Sequence, residues 1–217
     1  MMTQANLFDP TPRRRVGVLA SEGSLPPGLI FIPNFISAVE ERELISLLDN
    51  PQNASWLTDL SRRVQHFGYR YNYKLRALSA ADKVADAPPF VRELGNRLAD
   101  LGYFSSPPDQ VIVNEYEAGQ GISPHVDRES CFGSVVASLS IGSDIVMDFR
   151  SESGQMGSML LPARSMIILT GDARYSWKHS ITARKRDKLG DREFQRSRRL
   201  SLTFRTVLLP DVWQARP

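Results

Sequence analysis

The chain of 217 residues suits one domain with a buried core, and its net charge of +3 permits a polyanionic partner without requiring one. Its single cysteine, Cys131, excludes an intrachain disulfide, and no run of roughly 18 apolar residues is available to span a membrane. We therefore expect a cytoplasmic protein that has no membrane span and acts as a monomer.

The N-terminal part of the chain is expected to contain a weakly ordered tail followed by two helices. Residues 1–27 carry several prolines and arginines without sustained periodicity, so order should begin at a short apolar strand, Leu29–Ile32. An S-x-x-E capping box that starts at Ser37, with the apolar spacing behind it, predicts a helix over 38–49. Apolar residues at helical spacing predict a second helix over 89–101.

Short β-rich segments dominate the chain after residue 109 and are separated by Gly, Pro, Asp and Ser. This pattern of short strands and turns is typical of a sandwich or a jelly-roll barrel. The lack of alternating strands and helices argues against a Rossmann-type sheet. We expect a mainly β (α+β) fold in which residues 28–217 form one domain. Residues 61–88 are polar, aromatic and irregular, which indicates a long functional loop or hairpin pair. The expected strands are 110–116, 134–141, 144–149, 158–161, 165–170, 177–181 and 199–208.

Two of the three histidines belong to a pattern that can hold a metal ion. His125 and Asp127 are two positions apart, so on a strand their side chains share one face. His179 lies in a later β-like stretch, and a jelly roll brings such distant strands together. Two histidines and one carboxylate suit iron(II) and leave positions for a 2-oxo acid and O₂. Taken alone the pattern is weak, because a surface pair and a strand histidine bonded to a backbone carbonyl would look the same.

Two further segments supply groups for an anionic co-substrate. Strand alternation over 199–205 places Arg199 and Arg205 on one face and leucine and phenylalanine on the other. Arginines inside a barrel need anionic partners, and the dicarboxylate 2-oxoglutarate supplies two. Asn114 and Tyr116 share a face of an earlier strand and can donate hydrogen bonds to the same molecule. The alternatives are a charged strand face in solvent and ordinary polar residues at a strand end.

Together these motifs resemble the AlkB family of iron(II)- and 2-oxoglutarate-dependent dioxygenases. The resemblance runs from about residue 29 to 208, which is nearly the whole globular part of the chain. Ordered motifs at family spacing are much more specific than any one of them. The matching segments are Asn114 to Tyr116, Gly119 to Asp127, Ser138 to Gly142, Gly171 to Tyr175, His179, and Arg199 to Arg205.

The resemblance implies a double-stranded β-helix, which is a jelly roll, with N-terminal helices and a nucleotide-recognition lid over 61–88. It also implies that Glu129 lies near the flipped base. Two departures, Ser180 in place of a glycine and Ser201 in place of an asparagine, change the surroundings of the site but remove no ligand. Carried onto this sequence, the iron ligands are His125, Asp127 and His179, and the 2-oxoglutarate ligands are Asn114, Tyr116, Arg199 and Arg205.

The activity implied by the resemblance is oxidative demethylation of N-alkylated bases, with alkylated DNA as the first substrate and RNA or tRNA as the second, and with succinate, CO₂ and formaldehyde released. A damaged base must leave the duplex to reach a buried metal, which calls for aromatic surfaces and cations. Residues 61–74 offer both, although the same pattern also fits a half-buried strand of alternating aromatics. The candidate substrate contacts are Arg63, His66, Tyr69, Tyr71 and Glu129.

Two other functions remain open at this point. A small-molecule or protein-directed 2-oxoglutarate oxygenase would have the same metal and co-substrate residues, but it would not need the aromatic and basic segment. A nucleic-acid-binding module with an inactive centre would keep that segment, but the intact set of two histidines and one aspartate argues against it.

Overall fold

The computed structural model describes residues 21–53, 55–58 and 60–209, and within them thirteen strands and three α-helices. The helices are α1 (Ala38–Asp49), α2 (Pro89–Asp100) and α3 (Gly171–Tyr175), and a 3₁₀ turn covers Ala80–Asp82. The strands are β1 (Ser21–Gly23), β2 (Leu29–Ile32), β3 (Val64–Phe67), β4 (Gln110–Tyr116), β5 (Ile122–His125), β6 (Phe132–Gly142), β7 (Ile145–Ser151), β8 (Met156–Leu161), β9 (Ser165–Leu169), β10 (Trp177–Ile181), β11 (Arg186–Leu189), β12 (Arg192–Gln195) and β13 (Arg199–Val207).

Two antiparallel sheets form the body of the protein. The larger has six strands in the order β2-β9-β6-β13-β4-β3, and the smaller has five in the order β1-β8-β7-β10-β5. Side chains from both sheets, including Val136 and Ile167 of the larger and Met147 and Trp177 of the smaller, share one buried cluster. The expected mainly β jelly roll is confirmed.

The outer face of the larger sheet is covered by helices α1 and α2. Leu48 of α1 and Leu98 of α2 pack in one buried cluster with Leu202 and Phe204 of β13. Because successive side chains of a strand point to opposite faces, the intervening residues of β13 face the space between the sheets. This alternation places Arg199 and Arg205 inside the jelly roll, as the sequence predicts.

Both predicted helices are present, and the first begins at its capping box. The Ser37 hydroxyl accepts a hydrogen bond from the Glu40 backbone N–H at 3.2 Å, and the Glu40 carboxylate accepts one from the Ser37 N–H at 2.7 Å. The amphipathic spacing of the second helix is equally informative, because its buried residues Val91, Leu94 and Leu98 lie on one face. None of the described helices is long and apolar enough to cross a membrane.

The structure differs from the sequence expectation where elements are short and their partners distant. The ordered region does not begin at Leu29, because β1 already pairs with β8, whereas residues 1–20 of the expected tail and the C-terminal residues 210–217 lie outside the described part. The segment 61–88 is not irregular throughout, since its first part forms β3 against β4. The sequence pattern also does not predict β5, α3 or the β11-β12 hairpin, which depend on contacts with distant strands instead of a local period.

The β11-β12 hairpin is held against the smaller sheet by one buried carboxylate. Asp187 is fully buried and accepts two hydrogen bonds from Arg196 at 2.7 Å each. It also accepts bonds from the Arg184 side chain at 2.7 Å and from the Val146 backbone N–H of β7 at 3.0 Å. Burial alone would raise the pKa of Asp187, but these donors, led by Arg196, lower it overall.

We expect Asp187→Ala to destabilise the protein strongly, because it leaves the buried Arg196 guanidinium without its anion. Removal of one partner of a buried pair costs about 3 to 5 kcal/mol. Urea unfolding followed by circular dichroism measures this loss. Glu193→Ala on the same hairpin is the control, because its contact with Arg186 is exposed and such pairs contribute about 1 kcal/mol or less. Equal losses in the two variants would contradict the assigned role of Asp187.

Candidate functional site

The three predicted metal ligands converge on one cavity between the sheets. His125 ends β5, Asp127 follows two residues beyond that strand, and His179 lies in the middle of β10. His125 and His179 are directly opposite in the β5-β10 pairing, with ring centroids 4.4 Å apart. The Nε2 atom of His179 is 3.8 Å from Oδ2 of Asp127. All three side chains line a cavity of about 420 Å³.

The hydrogen bonds around these side chains define which donor atoms are free. His125 Nδ1 lies 2.8 Å from the Ser123 carbonyl, so a proton on Nδ1 leaves Nε2 as the atom that can bind a metal. Within the described residues, no three histidine, cysteine or acidic side chains already form a complete metal-binding group. Arg205 binds Oδ1 of Asp127, which leaves Oδ2 facing His179 Nε2 as the oxygen that could ligate a metal ion.

The protonation states of the buried ligands suit a cation. Burial would raise the pKa of Asp127, but the charges of Arg205 and then His179 outweigh it and lower the pKa to about 2. Burial, assisted by the charge of His125, lowers the pKa of His179 to about 3. Near neutral pH the site therefore presents a carboxylate and a neutral imidazole, which are the forms that bind metal ions.

Arg199 is a buried cation that lacks an anionic partner among the described residues. Its side chain is 1% exposed, and its Nε donates to the Ser140 hydroxyl at 2.8 Å. Its Nη2 atom is buried without a hydrogen-bond partner, and burial lowers its pKa to about 10. Since Arg199 lines the cavity that also contains the metal-ligand candidates, a bound carboxylate would provide the missing anion.

Arg205 lines the same cavity but has a different contact from the one expected. Its Nη2 donates to Oδ1 of Asp127 at 2.5 Å, and its guanidinium lies 4.7 Å from the centre of the Phe132 ring. In the structure Arg205 holds the candidate metal carboxylate, and its binding of 2-oxoglutarate stays a prediction. Its Nη1 donates to Oε1 of Gln110 at 3.3 Å, and its Nε is buried without a hydrogen-bond partner.

Asn114 and Tyr116 of β4 both line the cavity, as their shared strand face predicts. Arg62 donates from Nε to Oδ1 of Asn114 at 2.8 Å, which leaves the Asn114 amide N–H groups to donate to a ligand. The guanidinium groups of Arg62 and Arg199 lie 5.7 and 5.5 Å from the centre of the Tyr116 ring. The predicted co-substrate residues are thus tied to the start of the segment 61–88.

Only one of the five predicted substrate contacts reaches the cavity wall. Tyr71 lines the cavity, with its ring 5.5 Å from Phe132 and 5.2 Å from Tyr73. Tyr69 and Tyr71 both pack against a buried cluster that contains Leu78 and Phe132, but Tyr69 lies outside the described cavity lining. The stacking role expected for Tyr69 is therefore unsupported by its position.

The other three predicted substrate contacts also lie outside the described cavity lining. His66 lies beside Tyr73, and burial lowers its pKa to about 4. Arg63 pairs with Glu115 and lies over the Trp56 ring. Glu129 is exposed in the loop after the metal-ligand candidates. The sequence pattern does not predict which side chains of the segment 61–88 line the cavity.

The comparisons with known proteins agree with the geometry. The sequence profile of the 2OG-Fe(II) oxygenase superfamily matches residues 28–205. The chain belongs to this superfamily. The expected class, a 2-oxoglutarate-dependent dioxygenase with iron(II), 2-oxoglutarate and O₂, is confirmed at the level of the family.

Relatives with AlkB-type names narrow the family further. The chain is 37% identical over 202 residues to tRNA (carboxymethyluridine(34)-5-O)-methyltransferase alkbh8 of Xenopus tropicalis, a match that covers 85% of this chain and 32% of the relative. It is 35% identical over 216 residues to Alkylated DNA repair protein ALKBH8 homolog of Arabidopsis thaliana, covering 88% of this chain and 61% of the relative. The chain therefore spans less than two thirds of either protein. The resemblance to the AlkB family is confirmed.

A solved structure shows the same fold at low sequence identity. The structure of OsALKBH1 superimposes with a TM-score of 0.65, covering 84% of this chain and 98% of that chain, at 17% identity. At this identity the likeness establishes the jelly roll alone. The site of this AlkB-family chain is therefore defined by its own side chains.

Several residues that line the site were missed by the sequence prediction. Arg62 contacts the co-substrate candidate Asn114, whereas the sequence predicts a substrate contact for the neighbouring Arg63. Tyr73 lines the cavity, whereas the sequence predicts a substrate contact for Tyr69. Arg76 and Arg128 add exposed cations to the cavity wall. A two-residue alternation counted from Tyr71 would have included Tyr73, but no pattern in the sequence distinguishes Arg62 from Arg63.

We expect His125→Ala to reduce Mn²⁺ affinity by at least about 100-fold, because loss of a direct ligand should exceed the 10- to 100-fold effect of outer-shell changes. Mn²⁺ serves as a redox-stable probe and is titrated by electron paramagnetic resonance. His66→Ala is the matched control, because His66 lies outside the described cavity lining and should leave Mn²⁺ binding unchanged. Equal affinity in wild type and His125→Ala would remove His125 from the ligand set.

We expect Arg199→Gln to weaken 2-oxoglutarate binding by about tenfold or more, since a hydrogen bond to a charged group contributes about 1.5 to 3 kcal/mol. Titration calorimetry in the presence of Mn²⁺ measures the change, and the affinity for Mn²⁺ itself should stay the same. Arg164→Gln is the control, because Arg164 pairs with Glu41 away from the cavity. An unaltered 2-oxoglutarate affinity in Arg199→Gln would refute the assignment.

Proposed function

We propose that this protein is a 2-oxoglutarate-dependent dioxygenase that oxidatively demethylates N-alkylated bases in nucleic acid. The observation that carries the proposal is Arg199, a buried cation without an anion, in the same cavity as His125, Asp127 and His179. A site for one carboxylate next to a candidate site for one metal ion is the arrangement that a 2-oxo acid co-substrate requires.

Different residues around the cavity would bind the co-substrate and hold the candidate metal carboxylate. Arg199 would pair with one carboxylate of 2-oxoglutarate, and the Asn114 amide would donate to another oxygen. Arg205 keeps Asp127 ionised and aligned through its hydrogen bond. When bound, iron(II) with 2-oxoglutarate and O₂ supplies the oxidising power that hydroxylates an N-alkyl carbon, after which the product releases formaldehyde.

The substrate side of the cavity favours a nucleic-acid base. Tyr71 and Tyr73 place aromatic rings at the cavity wall, and the cations Arg62, Arg76 and Arg128 share that wall. A base contributes about 1 to 3 kcal/mol by stacking on an aromatic side chain, and exposed arginines pair with phosphates. A base that is already unpaired or flipped from its duplex would enter at the lowest free-energy cost.

The names of the relatives support a nucleic-acid substrate, but they differ on whether that substrate is RNA or DNA. The Xenopus relative is named for tRNA and the Arabidopsis relative for alkylated DNA repair. Each match covers only part of the relative, so neither name decides the polymer for this chain. We propose alkylated DNA as the first substrate and RNA as the second, and both belong in the test.

The deciding experiment is a substrate panel on the full chain with iron(II), 2-oxoglutarate and O₂. It compares 1-methyladenine, 3-methylcytosine and etheno-adducts in matched DNA and RNA oligonucleotides, with succinate and formaldehyde both quantified. We expect the methylated oligonucleotides to yield formaldehyde in step with succinate. Succinate without any base repair would favour a small-molecule or protein-directed oxygenase, and no succinate under any condition would favour an inactive binding module.

We expect Tyr71→Ala to raise the KM for a methylated oligonucleotide about tenfold, a change within the range of one lost stacking contact. Substrate-independent consumption of 2-oxoglutarate should persist, because Tyr71 contacts none of the co-substrate candidates. Tyr69→Ala is the control: it removes packing from the Leu78–Phe132 cluster and should lower thermal stability without changing the ratio of formaldehyde to succinate. Equal effects on that ratio in both variants would make Tyr71 a packing residue.

A further inference from the structure

One arginine next to the site is neither a candidate metal ligand nor a candidate contact of the co-substrate. Arg174 of α3 is 2% exposed, and all three of its donor nitrogens bind backbone carbonyls. Nη1 donates to Asp127 at 2.8 Å, Nη2 to Phe132 at 3.0 Å and Nε to Gly133 at 3.0 Å. No acidic side chain among the described residues forms an ion pair with it.

The three carbonyls mark the two ends of one segment, residues 127–133. This segment starts at the candidate metal carboxylate and ends in β6, where Phe132 also contacts Tyr71 and Arg205. Arg174 itself lies in the helix that leads directly into β10, the strand of His179. A single side chain therefore connects the two parts of the chain that carry Asp127 and His179.

Stability alone does not account for an arginine at this place. A buried guanidinium is costly unless hydrogen bonded, and its positive charge opposes a metal cation in the neighbouring site. An apolar residue would avoid that repulsion but remove the donors that Arg174 supplies to three carbonyls, and each buried group left unsatisfied costs about 1 to 3 kcal/mol. What arginine adds is a rigid fork that fixes three carbonyls relative to one another.

We propose that Arg174 is a positioning residue that sets the backbone of residues 127–133 so that the Asp127 carboxylate meets His179 at the metal. The proposal rests on the ligand assignment but not on the identity of the substrate. It predicts that loss of the three-way contact weakens metal binding even when the protein remains folded. In the structure Oδ2 of Asp127 lies 3.8 Å from Nε2 of His179, and a loose Asp127 segment would not keep the two donors together.

The test measures Mn²⁺ affinity by electron paramagnetic resonance, with the thermal midpoint recorded for each variant. Arg174→Gln removes the charge and two of the guanidinium nitrogens, whereas Arg174→Lys keeps the charge and loses the fork. We expect both to weaken Mn²⁺ binding by about tenfold or more, the size of an outer-shell effect. A purely electrostatic role predicts the opposite pattern, with tighter binding in Arg174→Gln and wild-type binding in Arg174→Lys.

Arg97→Gln and Arg97→Lys are the matched controls. Arg97 also donates to a backbone carbonyl, that of Phe35 at 2.9 Å, and to a carboxylate, but in α2 outside the cavity lining. These variants should lower the thermal midpoint without changing Mn²⁺ affinity. Unchanged or tighter Mn²⁺ binding in folded Arg174→Gln or Arg174→Lys would overturn the proposal. Full Mn²⁺ binding in His125→Ala would overturn the ligand assignment on which it rests, whatever the substrate panel gives.

Discussion

The architecture of the site depends on two arginine side chains that β13 buries between the two sheets. Alternation along β13 sends Leu202 and Phe204 toward the helices and Arg199 and Arg205 toward the interior, so the strand that anchors the larger sheet also carries two cations into the core. Buried guanidinium groups are tolerated only with compensation. Asp127 compensates the charge of Arg205, whereas Arg199 lacks an anion among the described residues, so the two cations of this strand differ in what they leave for a ligand.

The site follows from how separate elements are held at that interior. β5 and β10 pair so that His125 and His179 lie opposite each other, and the segment after β5 brings Asp127 beneath them. Arg205 holds the carboxylate from the side of β13, and Arg174 holds the backbone of the same residue from α3. The carboxylate is thus fixed at both its side chain and its main chain, while each histidine is fixed mainly by its strand.

Sequence reasoning succeeded where a local pattern repeats a physical constraint. The capping box at Ser37 gave α1, the alternation over 199–205 gave the inward arginines, and the spacing of histidine and aspartate gave the candidate ligands. It failed where the outcome depends on which way a side chain turns. Nothing local distinguishes Arg62, which reaches Asn114, from Arg63, which pairs with Glu115 on the other side. Tyr69 and Tyr71 likewise pack against the same buried cluster, yet only Tyr71 lines the cavity.

The contacts of Arg62 and Arg199 with the same Tyr116 ring would couple the binding of their ligands. Arg62 belongs to the segment 61–88 and Arg199 to β13, and both guanidinium groups lie against the Tyr116 ring. A phosphate that draws Arg62 away from Tyr116 and Asn114 would alter the free energy of 2-oxoglutarate in its pocket. By linkage, under the proposed function, 2-oxoglutarate would then alter the affinity for a polynucleotide by the same factor.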